Sequence, residues 1–131
     1  MSMKTKELKL FLAVGIGGIL GALLRYIIAE SVSFISFPVG TTIANLIGCF
    51  VLAYVTFHPF FKNKLPASIF TAFTTGLLGS FTTFSTFIAE SVLLFDESTA
   101  WFILYLAIQI LGGVVLCFIG AKLASNKEKI T

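Results

Sequence analysis

At 131 residues, 57% of them hydrophobic and 11% charged, with a mean hydropathy of +1.02, the chain has too little polar surface to cover a water-soluble globule and reads as an integral membrane protein. Its formal charge of +3 is no nucleic-acid signal, because the basic residues stand at the ends of apolar runs instead of clustering on one face. One loop histidine and six scattered carboxylates assemble no nucleophile and base pair, metal cluster or phosphate loop, which excludes an enzyme.

Apolar stretches long enough to cross a hydrocarbon core of about 30 Å occur at residues 8–28, 39–57, 67–95 and 101–123. The expectation is an all-α membrane protein of four transmembrane helices, a single domain over residues 1–131. Lys4, Lys6 and Lys9 ahead of the first apolar run imitate a signal peptide, but the run is long enough to span, no clear small-x-small site follows, and three more spans do. Cys49 and Cys117 fall near mid-span without redox or metal-like spacing and read as small packing residues.

The first span carries Gly15, Gly17, Gly18 and Gly21, and the Gly17-x-x-x-Gly21 spacing strips side chains from one face so that another helix can approach. A dinucleotide fingerprint is excluded, since position 20 is Leu and no strand precedes it. Arg25, near the far end, either snorkels to the interface or serves an aqueous cavity, and the sequence weighs these evenly. The uncharged link at residues 31–37 leads to Pro38, which introduces the second helix. There Thr41, Asn45, Gly48 and Leu52 share a face. Asn45 either bonds a neighbouring helix, which the residues alone favour, or donates to an anion moving along that face.

The link at 58–66 is basic and broken by two prolines, a short surface turn whose one histidine has no second metal ligand nearby. The third span is too long and too polar for one plain helix. Residues 76–87, Gly-Leu-Leu-Gly-Ser-Phe-Thr-Thr-Phe-Ser-Thr-Phe, put two glycines, five hydroxyls and three phenylalanines into an apolar segment. Irregular backbone at membrane depth is tolerated only inside protein or along a cavity. Gly76 and Gly79 are therefore candidates for a break whose freed carbonyls attract a cation. Phe84 and Phe87, with Phe81 before them, form an aromatic stripe that either fills the core, the favoured reading from sequence, or presents electropositive ring edges to an anion. Glu90 continues that face and needs a partner, a proton or water.

A short acidic link with Asp96 and Glu97 precedes Trp101, placed as an interfacial aromatic. The last span holds Tyr105 and a deep Gln109 expected to bond across helices, and the tail from Lys122 is expected to fray. Eight lysines (positions 4, 6, 9, 62, 64, 122, 127 and 129) fall on the face holding both termini, against Arg25 toward the other. The positive-inside rule then places both termini in the cytoplasm, in one orientation of a cell-membrane protein.

Three motifs together, Gly17-Gly18-x-x-Gly21-Ala22-x-x-Arg25-Tyr26, Gly40-Thr41-x-x-x-Asn45-x-x-Gly48 and Gly76-x-x-Gly79-x-x-Thr82-Thr83-Phe84-Ser85-Thr86-Phe87, resemble the small fluoride channel family (Fluc, also called CrcB) over nearly the whole chain. The third is the most specific. The resemblance implies an antiparallel dimer of four-helix subunits with two pores at the interface, a third helix broken near its centre, and passive export of cytoplasmic fluoride. By motif position, Phe84 and Phe87 would line the pores, those of one pore coming from different subunits. Asn45, with Thr41, would donate to fluoride, and Gly79 and Thr82 would offer backbone carbonyls to a structural sodium ion. Ser85, Thr86 and Glu90 would continue a polar path, to which Arg25 and Tyr105 are further candidates.

Many members of that family insert both ways with almost no charge bias, whereas this chain is strongly biased. The expected partner in the bilayer is therefore a paralogous subunit of opposite topology, with a homodimer as the alternative. Two rival readings remain: a small multidrug-type proton-coupled antiporter, which needs a central carboxylate in its first helix, where this chain has Glu30 at the end; and a non-conducting partner subunit, which leaves the paired phenylalanines and Asn45 unexplained.

Overall fold

The computed structural model describes residues 3–126. Lys127 and Lys129 of the charge count, and half of the tail expected to fray, lie outside them, while its first half, residues 122–126, continues the last helix. Eight α-helical pieces follow in order: α1 (Met3–Ser31), α2 (Val39–Phe57), α3 (Pro59–Lys64), α4 (Ala67–Thr71), α5 (Gly79–Phe81), α6 (Ser85–Glu97), α7 (Thr99–Ala107) and α8 (Gly113–Asn126). Wider π-helical turns at Ala72–Leu78 and Ile108–Gly112 join α4 to α5 and α7 to α8. Four segments, Lys4–Ser31, Val39–Phe57, Ala67–Glu97 and Thr99–Asn126, are long and apolar enough to cross a membrane. The chain is thus an all-helical, multi-pass membrane protein, as its composition requires.

Pro38 stands immediately before α2, where its fixed φ and missing N–H cost nothing. The link expected as a plain turn at 58–66 instead forms a short helix, α3. Pro59 takes its first position and the His58 imidazole Nδ1 accepts the Phe60 N–H at 3.2 Å, so the prolines bound a helix. Lys62 and Lys64 complete its last turn.

Two close packings build the bundle, α1 against the π-helical turn of the third span and α2 against α8. Both depend on missing side chains. A Cβ at Gly17 would strike the Ala72 carbonyl oxygen, and one at Gly21 would strike that of Leu77. The third span reciprocates, since a Cβ at Gly76 would lie 2.5 Å from the Val14 carbonyl oxygen. On α8, Gly120 meets the Phe50 backbone in the same way. Gly17 and Gly21 thus serve helix packing, as their spacing predicts, whereas Gly15 faces open space.

The third span is interrupted, though not at its glycines. Gly76 lies within the π-helical turn and Gly79 opens α5; the backbone leaves the helix at Thr82, with φ −81° and ψ 156°, and α6 resumes after Phe84. The break falls within the expected stretch, at its Thr82 end and not at Gly76 or Gly79 themselves. Gly76 is used for the approach to α1, and the break falls where side chains supply substitutes for the lost helical bonds.

Candidate functional site

Those substitutes come from α2. The Asn45 amide grips the break with both of its functional groups: Oδ1 accepts the Thr83 N–H at 2.8 Å, and Nδ2 donates to the Thr83 carbonyl at 3.0 Å. In an uninterrupted helix the Thr83 N–H would donate to Gly79 and the Thr86 N–H to Thr82. Here the first goes to Asn45, and the second to the Thr83 hydroxyl at 3.2 Å. The carbonyls of Gly79 and Thr82 therefore lose their helical donors. They are the two oxygens that the family resemblance implies for a sodium ion, and as hard oxygen donors they would suit such a cation.

A chain of side-chain hydrogen bonds continues from the clamp through the whole bundle. Asn45 Nδ2 also donates to Gln109 Oε1 at 3.2 Å. Gln109 Nε2 donates to the Tyr105 hydroxyl at 3.1 Å, and Tyr105 donates to Glu90 Oε2 at 2.6 Å. The other carboxyl oxygen of Glu90 accepts from Thr41 at 2.8 Å. Toward the opposite end, the Thr83 hydroxyl donates to Thr86 Oγ1 at 3.0 Å, which also accepts from Arg25 Nη1 at 3.4 Å. Eight residues from all four spans are thereby linked, which gives partners to polar side chains that a bilayer would penalise.

Arg25 is half-buried and reaches across to the third span. Its guanidinium turns to Thr86, while its Nε is buried with no hydrogen-bond partner. Glu90 finds two partners, and Gln109 bonds across helices as its depth predicts. Thr41 is buried on the polar side of α2.

The two phenylalanines occupy contrasting places. Phe84 immediately precedes α6 and is 75% exposed, whereas Phe87 is 7% exposed in a cluster with Leu94 and the fully buried Tyr105. Their rings lie 5.8 Å apart at 54°, and Phe87 continues to Tyr105 at 5.4 Å. Phe81 is buried on the other side of the break, so the expected three-residue stripe is interrupted there. Ser85 is exposed, its hydroxyl 3.4 Å from that of Thr83. A groove of about 330 Å³ runs beside Asn45, Gln109, Thr83, Phe84 and Phe87. Cys49 and Cys117 flank the same groove, with the Cys117 thiol donating to the Cys49 carbonyl at 3.4 Å.

The sequence pattern identified the groove's aromatic residues and Asn45, and gave Gln109 a cross-helix hydrogen bond but no place at the groove. The π-helical turn that carries it was the missing signal, because such turns re-aim a side chain and recur at functional positions. Nothing in the residue pattern around 108–112 marks that turn.

These features define a small multi-pass membrane protein with a continuous polar path through an apolar bundle. Residues 12–121 match the family described as CrcB-like protein, Camphor Resistance (CrcB), and the chain belongs to that family. It is similar to a "Fluoride-specific ion channel FluC 1" of Bacillus cereus, 44% identical over 130 residues that cover 94% of this chain and 90% of that one. A protein of the same name in Staphylococcus aureus is 42% identical over 119 residues, covering 88% of this chain and 97% of its own. Another in Bacillus anthracis is 41% identical over 119 residues, covering 87% and 86%. The family suggested by the three motifs is the family found.

Proposed function

We propose that this chain is a subunit of a fluoride-selective channel that lets fluoride leave the cytoplasm passively, down its gradient. The observation that carries the reading is the interrupted third span, which sets an exposed Phe84 beside the Asn45 clamp in a protein whose relatives are named fluoride-specific channels. Fluoride is small and strongly hydrated, so a path must replace its water with several modest donors and still release it. Phenylalanine ring edges, the Asn45 amide and the hydroxyls of Ser85 and Thr86 are donors of that strength, whereas the Thr41 hydroxyl already gives its proton to Glu90.

The same reading makes the working unit an antiparallel dimer with two pores. Exposed Phe84 and the largely uncovered outer faces of the first and last spans support a partner surface in addition to lipid. Eight lysines against one arginine support a single orientation with both termini cytoplasmic, and so a paralogous partner of opposite topology. A sodium ion held by the Gly79 and Thr82 carbonyls would supply a fixed positive charge that organises the break; the diverted helical donors of both carbonyls support this.

The test is fluoride-electrode efflux from liposomes containing this chain alone, and with a candidate inverted partner. Fluoride efflux only with the partner is the expected result. Robust efflux from the chain alone would replace the heterodimer with a homodimer, and no efflux in either case would overturn the channel reading.

A further inference from the structure

The hydrogen-bond chain has a direction, and its logic singles out one residue. Tyr105 gives its single proton to Glu90, so its oxygen can only accept, and Gln109 must turn Nε2 toward it. That turns Gln109 Oε1 toward α2. At the other end the Thr83 backbone fixes Asn45, because the N–H of Thr83 needs Oδ1 and its carbonyl needs Nδ2. The remaining Asn45 N–H then meets Gln109 Oε1 at 3.2 Å. An amide at position 109 is compatible with both fixed ends at once: it donates to one and accepts from the other.

Asn45 therefore has no idle donor. Its two N–H groups are held by the Thr83 carbonyl and by Gln109, and the bond to Thr83 maintains the break. Only the longer bond, to Gln109, can be exchanged without unmaking the clamp. Both residues border the groove that also contains Phe84 and Phe87, so an anion there reaches Asn45 by taking the place of the Gln109 carbonyl.

We propose that Gln109 is a specificity-determining positioning residue: its Oε1 is the internal competitor that an anion must displace from Asn45, and so it sets the concentration at which the path fills. The π-helical turn at Ile108–Gly112 is what carries Gln109 to that position. The inference rests on the fluoride reading and assigns its concentration dependence to this one contact.

Two substitutions act in opposite directions. Gln109→Met keeps the side chain's length and removes the competing oxygen, so fluoride engages Asn45 at about fivefold lower concentration, the weight of one ordinary hydrogen bond. Gln109→Glu keeps an acceptor beside Asn45 and makes it a stronger one, so fluoride is needed at about tenfold higher concentration. A residue that only packed the bundle would give losses of the same sign in both variants.

The chain contains three asparagines, at positions 45, 63 and 126, so selective 15N-asparagine labelling yields three side-chain NH2 pairs. The Asn45 pair is assigned by its loss in Asn45→Asp. Sodium fluoride is titrated against sodium chloride at constant ionic strength into the full chain in detergent micelles, and liposome efflux is measured in parallel. Asn45 shifts that saturate earlier in the Met variant and later in the Glu variant are expected. Shifts that move the same way in both, or match wild type, overturn the role of Gln109. An Asn45 pair indifferent to fluoride while efflux persists also overturns it and leaves the channel reading standing. Indifference together with no efflux, with or without an inverted partner, removes both.

Discussion

Replacing Asn45 with Leu, of similar size and without polar atoms, tests whether the break is held open by one side chain. The change removes two bonds to Thr83 and one to Gln109. Hydrogen bonds between membrane helices average about 0.6 kcal/mol, so the two lost to Thr83 account for roughly 1.2 kcal/mol. Leaving the Thr83 N–H without a partner adds about 1–3 kcal/mol. The expected local destabilisation is about 2–4 kcal/mol, which corresponds to a rise in the opening equilibrium of about 30-fold to 700-fold. Hydrogen exchange at the Thr83 amide in detergent micelles reads this directly, with amides of α2 and α8 as internal references. Fluoride efflux should fall with it. If Thr83 exchanges at the wild-type rate in Asn45→Leu, the clamp is not what stabilises the break and the reasoning fails.

Phe84→Ile should leave thermal stability in detergent unchanged and lower fluoride efflux, because the ring is exposed, whereas Phe87→Ile should lower both, costing about 1–3 kcal/mol through its buried contacts with Tyr105 and Leu94. Equal stability losses in the two variants would contradict the contrast in burial. Glu90→Gln removes one of two acceptors and should keep efflux within about tenfold of wild type; complete loss, with proton-coupled export of cationic drugs in the wild type, would favour an antiporter. Gly21→Ala should destabilise the bundle by about 1–3 kcal/mol by prising α1 from Leu77, while Gly15→Ala, which faces open space, should be neutral or mildly stabilising; thermal aggregation in detergent separates them. Replacing sodium by a bulky organic cation should lower efflux in wild type if the Gly79 and Thr82 carbonyls hold the ion, and unchanged efflux and dimer stability would dismiss that site.

The sequence by itself determined that four apolar segments cross a membrane, since length and hydropathy bear on nothing but the cost of leaving water. It also determined that Gly17 and Gly21 admit another backbone, because a missing Cβ at a four-residue spacing leaves one helix face bare whatever packs there. The motif from Gly76 to Phe87 located the irregular segment, and polar residues at depth announced that Asn45, Glu90 and Gln109 would need partners. What it left open was which partners and where the break falls. Glycines look like the natural breakpoints, yet Gly76 is consumed by the approach of α1. The helix ends instead at Thr82, where an amide on another span can take the place of its missing bonds.

Only the tertiary structure decided that Arg25 reaches across to the third span, that Phe84 and Phe87 differ in burial, and that Tyr105, Gln109 and Asn45 form one directed chain. Hydrogen-bond direction depends on which donor meets which acceptor across a sequence separation of 64, as between Asn45 and Gln109. Such pairings follow from how the helices pack and from a π-helical turn that no local pattern announces, so the sequence could name the polar residues but not their order.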